Sequence, residues 1–244
     1  MSLSILKTFA LRLTLVILGC GSLSANAFEK VTGVQSLGRT KVMLPSAGQW
    51  QLLESKTRNN AFGGSHPGEI PAEYKVWALV SETNEILSFL LMRSDAASVL
   101  QAATRLQWTN NCKQDGKSYI VDGTRGSFER LDCLRVFGRI ATEPKLPAAL
   151  EDVGSALKLA GSRIPSQMLY IQHNVANDQG AFVELWILLS PKFRGADGAP
   201  AQAELLNTIQ PRTARWADLL AQEARGSLAS LSGEYRLPDM NFSE

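Results

Sequence analysis

Residues 86–92, Ile-Leu-Ser-Phe-Leu-Leu-Met, decide the fold class of this chain. Both sets of alternate positions in this stretch are mainly apolar, which is typical of a strand at the centre of a sheet covered on both sides. A strand-like run at residues 74–81 precedes it, and only Glu82-Thr83-Asn84 separates that run from residues 85–93. Such a short polar connection predicts an antiparallel hairpin with the apolar stretch as one arm.

A second hairpin is predicted on the N-terminal side of this centre. Residues 40–44 and 49–55 are strand-like, and Pro45-Ser46-Ala47-Gly48 between them combines a proline that presets φ with a glycine that completes a turn. The segment 59–71 follows and is dense in glycine and proline. We expect it to form an exposed, mobile loop.

A third hairpin is predicted on the C-terminal side. Residues 168–175 and 181–189 alternate as strands do, and Asn177-Asp178-Gln179-Gly180 supplies turn-forming residues between them. Residues 128–140 also alternate well enough to form a strand. Adjacent strands joined by tight turns pair antiparallel, so the sheet is built from hairpins.

Three segments have the apolar periodicity of amphipathic helices, namely residues 95–106, 147–161 and 211–231, and Asp95 can cap the first of them. A helix with a single apolar stripe buries that stripe against a sheet. The expected fold class is therefore α+β. A single domain over residues 28–244 has an antiparallel sheet with two to three amphipathic helices packed on it.

The first 27 residues have the order of regions found in a secretory signal peptide. Two basic residues precede the apolar run 13–18, and Ser24-Ala25-Asn26-Ala27 then supplies the small residues that a signal peptidase recognises. The apolar run is much shorter than the roughly 20 residues that a membrane-spanning helix needs. We expect cleavage between Ala27 and Phe28 and a periplasmic or secreted mature protein.

An alternative processing route lies within the same segment. Ile17-Leu18-Gly19-Cys20 resembles the lipobox of bacterial lipoproteins, in which the cysteine becomes the lipid-bearing first residue. Lipidation at Cys20 would make the protein a membrane-anchored lipoprotein, and only in this case do we expect a membrane partner.

Charge excludes one class of partner. The full chain has 25 basic and 23 acidic residues, and the first 27 residues hold two of the basic ones, which leaves 23 of each sign. Binding of nucleic acid needs a concentrated positive surface. A formally neutral mature chain without a basic run gives no support for it, so we expect no nucleic-acid partner.

Two cysteines, Cys112 and Cys133, remain by either processing route. In an oxidising compartment they are most simply interpreted as one disulfide. The bridge closes an excursion over residues 112–133, which in the chain-entropy model stabilises the fold by about 3 kcal/mol.

Candidate functional residues are few, because the chain has only two histidines. His173 lies on a predicted strand, and a turn near Asp178 would bring it opposite Val183 or Glu184. A pair of His173 with Glu184 would raise the pKa of the imidazole and orient the ring. His66 lies beside Ser65 in the glycine-rich segment. No metal-ligand spacing is present and no cofactor motif is found, so we expect neither a metal site nor a cofactor.

The remaining candidate is Trp108, which stands among polar residues near the predicted disulfide and is a candidate for a binding surface. We interpret the chain as an exported, non-catalytic binding or accessory protein of the cell envelope, with an unknown envelope protein or small ligand as its partner. The alternative is a secreted hydrolase that uses His173, or His66, together with a carboxylate such as that of Glu184.

Overall fold

The computed structural model describes residues 28–46, 48–62, 68–96, 112, 118–124, 130–140, 161, 163–165, 167–177, 181–194, 211–229 and 233–242. In this part of the chain it contains eleven strands and one helix. The strands are β1 (Glu29–Val31), β2 (Val34–Leu37), β3 (Thr40–Met43), β4 (Gln49–Phe62), β5 (Gly68–Val80), β6 (Ile86–Asp95), β7 (Tyr119–Asp122), β8 (Leu131–Ile140), β9 (Gln167–Ala176), β10 (Phe182–Leu189) and β11 (Glu234–Arg236), and the helix is α1 (Pro211–Ala229).

Eight strands form one antiparallel sheet in the order β1-β4-β5-β6-β10-β9-β8-β7. The apolar stretch that decided the fold class lies in β6, at the middle of this sheet. Phe89 and Leu90 are both fully buried although they point to opposite faces, so the sheet is covered on both sides of β6. The predicted hairpins β5–β6 and β9–β10 are confirmed.

The sheet consists of two halves with the same order of strands. From the outer edge inwards, one half runs β1, β4, β5, β6 and the other runs β7, β8, β9, β10, and the halves meet where β6 pairs with β10. The short edge strands β1 and β7 each cover only part of their neighbour.

A second, smaller sheet and α1 cover one side of the large sheet, which we call the first face. The small sheet has the order β11-β3-β2, and β11 pairs parallel with β3. Its buried Leu37 and Tyr235 belong to the same apolar cluster as Trp77 and Leu185 of the large sheet and Trp216 of α1. A second apolar cluster, which includes Phe89 and Leu188, lies on the opposite side, the second face.

The helix α1 confirms the third of the predicted helices. Pro211 occupies its first position, where the missing N–H costs nothing, and Gly233 beyond its end has a φ of 62°. The expectation of two to three helices is corrected to one in the residues that the structure describes. The segments 97–106 and 147–160 lie outside the described residues.

Asp95, predicted as a helix cap, is the last residue of β6. Its carboxylate accepts hydrogen bonds from the backbone N–H of Phe182, at 3.1 Å, and from the side chain of Arg39. It therefore joins the end of β6 to the start of β10 and to the β2–β3 turn.

The hairpin predicted for β3 and β4 is wrong. These strands belong to different sheets: β3 pairs with β2 and β11, whereas β4 pairs with β1 and β5. The connection is a corner, because Leu44 and Trp50 on either side of it are both buried and the indole of Trp50 donates to the carbonyl of Pro45 at 3.1 Å. A proline and a glycine favour a turn without fixing whether the chain then returns to the same sheet.

The loop predicted over residues 59–71 is also corrected. Paired strands occupy 59–62 and 68–71, and residues 63–67 lie outside the described residues. Pro71 lies just beyond the last residue pair of β5 and β6, which is Ala72 with Asp95. On that side of the strand its carbonyl oxygen accepts a hydrogen bond from the N–H of Ala96 at 2.8 Å. Its missing N–H faces that same side, where the ladder requires no donor.

Candidate functional site

His173 lies on β9 with its side chain inside the core of the first face. The predicted alternation is confirmed, because Ile171, His173 and Val175 are all buried, and His173 has an exposure of 0%. Its neighbours in register are Leu134 on β8 and Leu185 on β10. The imidazole is therefore flanked by two leucines and has no exposed surface.

The expected pairing of His173 with Glu184 is wrong. Glu184 lies opposite Asn174, and His173 lies opposite Leu185. Because successive side chains of a strand point to opposite faces, a shift of one residue in register moves Glu184 to the second face.

Asp132 on β8 is the partner that sequence reasoning missed. Its Oδ1 atom lies 3.1 Å from His173 Nε2, and Arg225 of α1 reaches the same carboxylate with Nε 2.6 Å from Oδ2 and Nη2 3.0 Å from Oδ1. Such a two-pronged contact between guanidinium and carboxylate is strong and directional. We call His173, Asp132 and Arg225 the buried triad; it links two neighbouring strands to the helix above them.

The protonation states in the triad follow from burial and charge. Burial raises the pKa of Asp132, but hydrogen bonds from His173 and Arg225 and the charge of Arg225 outweigh it, so that pKa lies below its usual value. Burial lowers the pKa of His173 by more than Asp132 raises it. Asp132 is thus an ionised acceptor and His173 a neutral donor through Nε2. In the described part of the chain His173 Nδ1 has no hydrogen-bond partner.

We expect the free energy of unfolding to fall as the pH drops from about 7.5 to about 5. The pKa of His173 is lower in the folded protein than in the unfolded chain. The unfolded chain therefore binds a proton first as the pH passes below its ordinary value of about 6.5. Urea unfolding of wild type and His173→Gln across this range measures the effect. The glutamine variant should lose the part of the pH dependence that histidine contributes; an unchanged slope in the variant would contradict the assignment.

Gly123 lies directly against the carboxylate of the triad. Its N–H donates to the carbonyl oxygen of Asp132 at 2.8 Å, and a Cβ built on Gly123 would lie 2.1 Å from Asp132 Oδ2. No carbon atom fits at that distance, so only glycine can lie at position 123 against the carboxylate.

Gly123→Ala is therefore expected to destabilise the protein by about 1–3 kcal/mol, because the methyl group displaces Asp132 from Arg225. Thermal or urea unfolding measures this change. Gly226→Ala is the matched control: Gly226 is an exposed residue of α1 with open space around it. That variant should be stabilised by about 0.5–1 kcal/mol. Equal effects at the two glycines would argue against the close contact.

A second polar contact joins α1 to the sheet. The hydroxyl group of Tyr119, on β7, donates to the carboxylate of Asp218, with 3.0 Å between Tyr119 Oη and Asp218 Oδ2. Burial, this hydrogen bond and the charge of Asp218 raise the pKa of Tyr119. Asp218 and Arg225 are two helical turns apart, so they lie on the same side of α1. The helix is thus held to β7 and β8 by direct polar contacts, and to β9 through Asp132, in addition to its apolar side.

The hydrogen bonds of the buried triad are those of a structural contact that holds α1 against the sheet, which we call the clamp. A histidine that acts as a general base must reach a nucleophile or a substrate. Here Nε2 is occupied by Asp132, the side chain is wholly enclosed, and no serine, threonine or cysteine of the described residues forms a hydrogen bond with it. The arrangement can hold the ion pair of Asp132 and Arg225 between the sheet and the helix.

Glu184 lies on the second face, in contact with Arg93 and Trp186. Arg93 donates to Glu184 Oε2, and the indole N–H of Trp186 donates to Glu184 Oε1 at 2.9 Å. Tyr74 on β5 lies opposite Arg93 on β6, and burial is the main cause of the raised pKa of Tyr74. We call Tyr74, Arg93, Glu184 and Trp186 the polar-aromatic patch.

The patch arises from the register of three central strands. Tyr74, Arg93 and Glu184 are directly opposite one another on β5, β6 and β10, and Trp186 follows Glu184 by two residues on the same face. All four side chains are partly exposed, with 32% for Arg93 and 15% for Glu184. Further along the same strands Ala78, Phe89 and Leu188 are buried. The second face therefore changes from closed and apolar to partly open and polar.

One more ion pair borders the patch on β4. Lys56 Nζ lies 2.5 Å from Glu54 Oε1 and 5.2 Å from the centre of the Tyr74 ring. A cation at this distance is attracted by the face of an aromatic ring.

The predicted disulfide is confirmed: Cys112 and Cys133 are bonded, with 5.5 Å between their Cα atoms. Phe28, the expected first residue of the mature chain, packs against the apolar cluster of the second face. His66, Trp108, Cys20 and Ala27 lie outside the described residues.

The partners that sequence reasoning missed lie far away in the chain. Asp132 and Arg225 are 93 residues apart, and Arg93 and Glu184 are 91 apart. The available signal was a charged residue at an inward position of an otherwise alternating strand, as at Asp132 between Leu131 and Cys133. A charged side chain at such a position requires a buried partner, although the alternation of residues along the strand does not indicate which residue that partner is.

Within the described residues no group of histidine, cysteine and acidic side chains has the arrangement of a metal site. The helix α1 is not long and apolar enough to cross a membrane, and it is the one helix in this part of the chain. A search of protein-family models, curated proteins and solved structures gives no match to this chain, so its function has to be argued from the geometry of its own residues.

Proposed function

We propose that this chain is an exported protein of the cell envelope that binds a partner or ligand through the polar-aromatic patch and catalyses no reaction of its own. Its first 27 residues have the pattern of a signal peptide, and the Cys112–Cys133 bridge fits an oxidising compartment. The periplasm or the extracellular space is the corresponding location.

The patch is the observation that carries the proposal. Tryptophan, tyrosine and arginine are the residue types that contribute most to binding energy at recognition surfaces. Here Trp186, Tyr74 and Arg93 occur together and partly exposed at the centre of a sheet, where packing alone would favour aliphatic side chains. Glu184 fixes Arg93 and Trp186 in place, so little conformational entropy is lost when something binds them.

The absence of catalysis is proposed from the position of His173. The hydrolase interpretation that uses His173, rather than His66, required this histidine to meet a substrate together with a carboxylate such as that of Glu184. The two residues point to opposite faces of the sheet, and His173 is bonded to Asp132 inside the core.

Capture from the native envelope tests the proposal. Tagged wild type, Trp186→Ala and Leu219→Ala are exported in the native host and purified with mild crosslinking. Leu219 is the matched control, because it is an exposed apolar residue on α1, with an exposure of 46%. Material enriched with wild type and Leu219→Ala should be lost with Trp186→Ala. Equal recovery with all three would overturn the assignment of the patch.

The location is tested by the mass of the mature N-terminus. We expect a chain that begins at Phe28; β1 begins at the next residue, so this cleavage keeps all the strands of the described residues. A lipid-modified N-terminal Cys20 would instead identify a membrane-anchored lipoprotein, with a short tether before the domain.

A further inference from the structure

The polar-aromatic patch has the dimensions of a site for a small chain molecule. Neighbouring strands are about 4.8 Å apart and a two-residue step is about 6.8 Å, so the Cα atoms of Tyr74 and Trp186 lie roughly 12 Å apart. The ion pair of Arg93 and Glu184 lies between them. A stable protein interface needs about 800 Å² on each partner and excludes charge from its centre. This patch is smaller and has its charges at the centre.

The centre of the patch is neutral, because Arg93 is paired with Glu184. Lys56 beside it is paired with Glu54, whereas Arg58, farther along β4, is an exposed cation that acts on Tyr74. An ionic ligand at the centre would have to break the Arg93–Glu184 pair or leave a charge unmatched. The electrostatics at the centre therefore favour a ligand without net charge.

The hydrogen-bonding groups require a ligand that can donate. Each carboxylate oxygen of Glu184 can accept a further hydrogen bond beyond those from Arg93 and Trp186. Asn174, opposite Glu184 on β9, has an amide oxygen that is buried without a partner among the described residues. A buried acceptor without a donor is costly. Because this oxygen is enclosed in the unliganded protein, a hydroxyl group of a ligand would satisfy it once the atoms that cover it move aside.

We propose that the polar-aromatic patch, together with Asn174, binds an uncharged saccharide chain. This inference rests on the proposed function and names its ligand class. A saccharide has apolar C–H faces that pack on the rings of Trp186 and Tyr74. Its hydroxyl groups donate to Glu184 and Asn174, and it has no net charge to be matched.

Binding of defined sugars tests this inference with the exported, processed protein. The neutral probes are maltotetraose and the tetramer of N-acetylglucosamine, and the charged comparator is tetragalacturonate. Calorimetric titration is carried out at millimolar ligand, where weak saccharide binding is measurable. We expect saturable binding of at least one neutral probe and weaker binding of tetragalacturonate. Trp186→Ala should weaken the neutral complex by at least about tenfold.

Asn174→Ala is a second variant that separates a loss of binding from a loss of folding. Because the amide oxygen is buried without a partner among the described residues, its removal should not lower the thermal midpoint, yet it should weaken saccharide binding. Leu219→Ala on α1 should bind as wild type does. Equal affinity in wild type, Trp186→Ala and Asn174→Ala would overturn the inference, as would a preference for tetragalacturonate.

Failure of this inference is distinguishable from failure of the proposed function. If wild type binds neither neutral sugar but its capture of an envelope component depends on Trp186, the patch is a binding surface for another class of partner and the saccharide is wrong. If both the titration and the capture fail, the patch has no binding role and both proposals fall.

Discussion

Asp132→Ala is expected to destabilise the protein by about 2–4 kcal/mol. The carboxylate is almost fully buried, at 5% exposure, and holds both His173 and Arg225. Its removal leaves Arg225 with an uncompensated charge and the imidazole without its acceptor. The loss stays below that of a wholly buried pair because the side chain of Arg225 is 37% exposed and regains water. Equilibrium urea unfolding at neutral pH measures the change.

Tyr119→Phe is the matched control, because it removes the other polar contact between α1 and the sheet, to Asp218. Tyr119 is only partly buried, so the cost should be about 1 kcal/mol or less. A further variant that replaces all three members of the triad with apolar residues of similar volume should recover much of the stability lost in Asp132→Ala. A loss in Asp132→Ala no larger than that in Tyr119→Phe would contradict the clamp.

The sheet was predictable where a short connection joins two strongly apolar strands. For β5 and β6 the connection leaves no alternative to an antiparallel pair, and Asn84 at its end adopts the left-handed φ of 61° that asparagine tolerates. The same holds for β9 and β10. The disulfide was predictable because only two cysteines remain after either processing route. These features depend on local sequence or on counting.

The candidate site was not predictable for the same reason. The buried triad joins β8 and β9, which are neighbours within one half of the sheet, to the distant helix α1, whereas the polar-aromatic patch brings together strands of both halves where β6 pairs with β10. His173 was correctly assigned to an inward face, but the residue opposite it depends on the length of the 177–181 connection. An error of one residue in the predicted register placed Glu184 on the same face as His173, whereas the structure places it on the opposite face.

Replacing both bridging cysteines, Cys112→Ala with Cys133→Ala, is expected to destabilise the protein by about 3 kcal/mol. The bridge spans a separation of 21 residues and joins Cys112 to β8, which lies next to the edge strand β7 of the large sheet. β7, within the closed loop, is only four residues long, so it depends on this closure more than a central strand would. Urea midpoints with and without reductant measure the loss, and reductant should not affect the double variant.

Thiol labelling gives an independent check on the bridge. The unfolded, unreduced mature protein should label at no cysteine, whereas a chain that keeps its leader without lipid would label once, at Cys20. Stoichiometric labelling of Cys112 and Cys133 would show that the disulfide is absent.

Combining the two changes separates their mechanisms. In the chain-entropy model the disulfide acts on the unfolded chain, whereas the carboxylate of Asp132 acts in the folded protein. Although Asp132 and Cys133 are consecutive residues of β8, their losses should therefore add to within about 0.5 kcal/mol. A combined loss clearly different from the sum would mean that the bridge also holds β8 in place beneath α1, so that oxidation of the cysteines is needed to position Asp132 for Arg225.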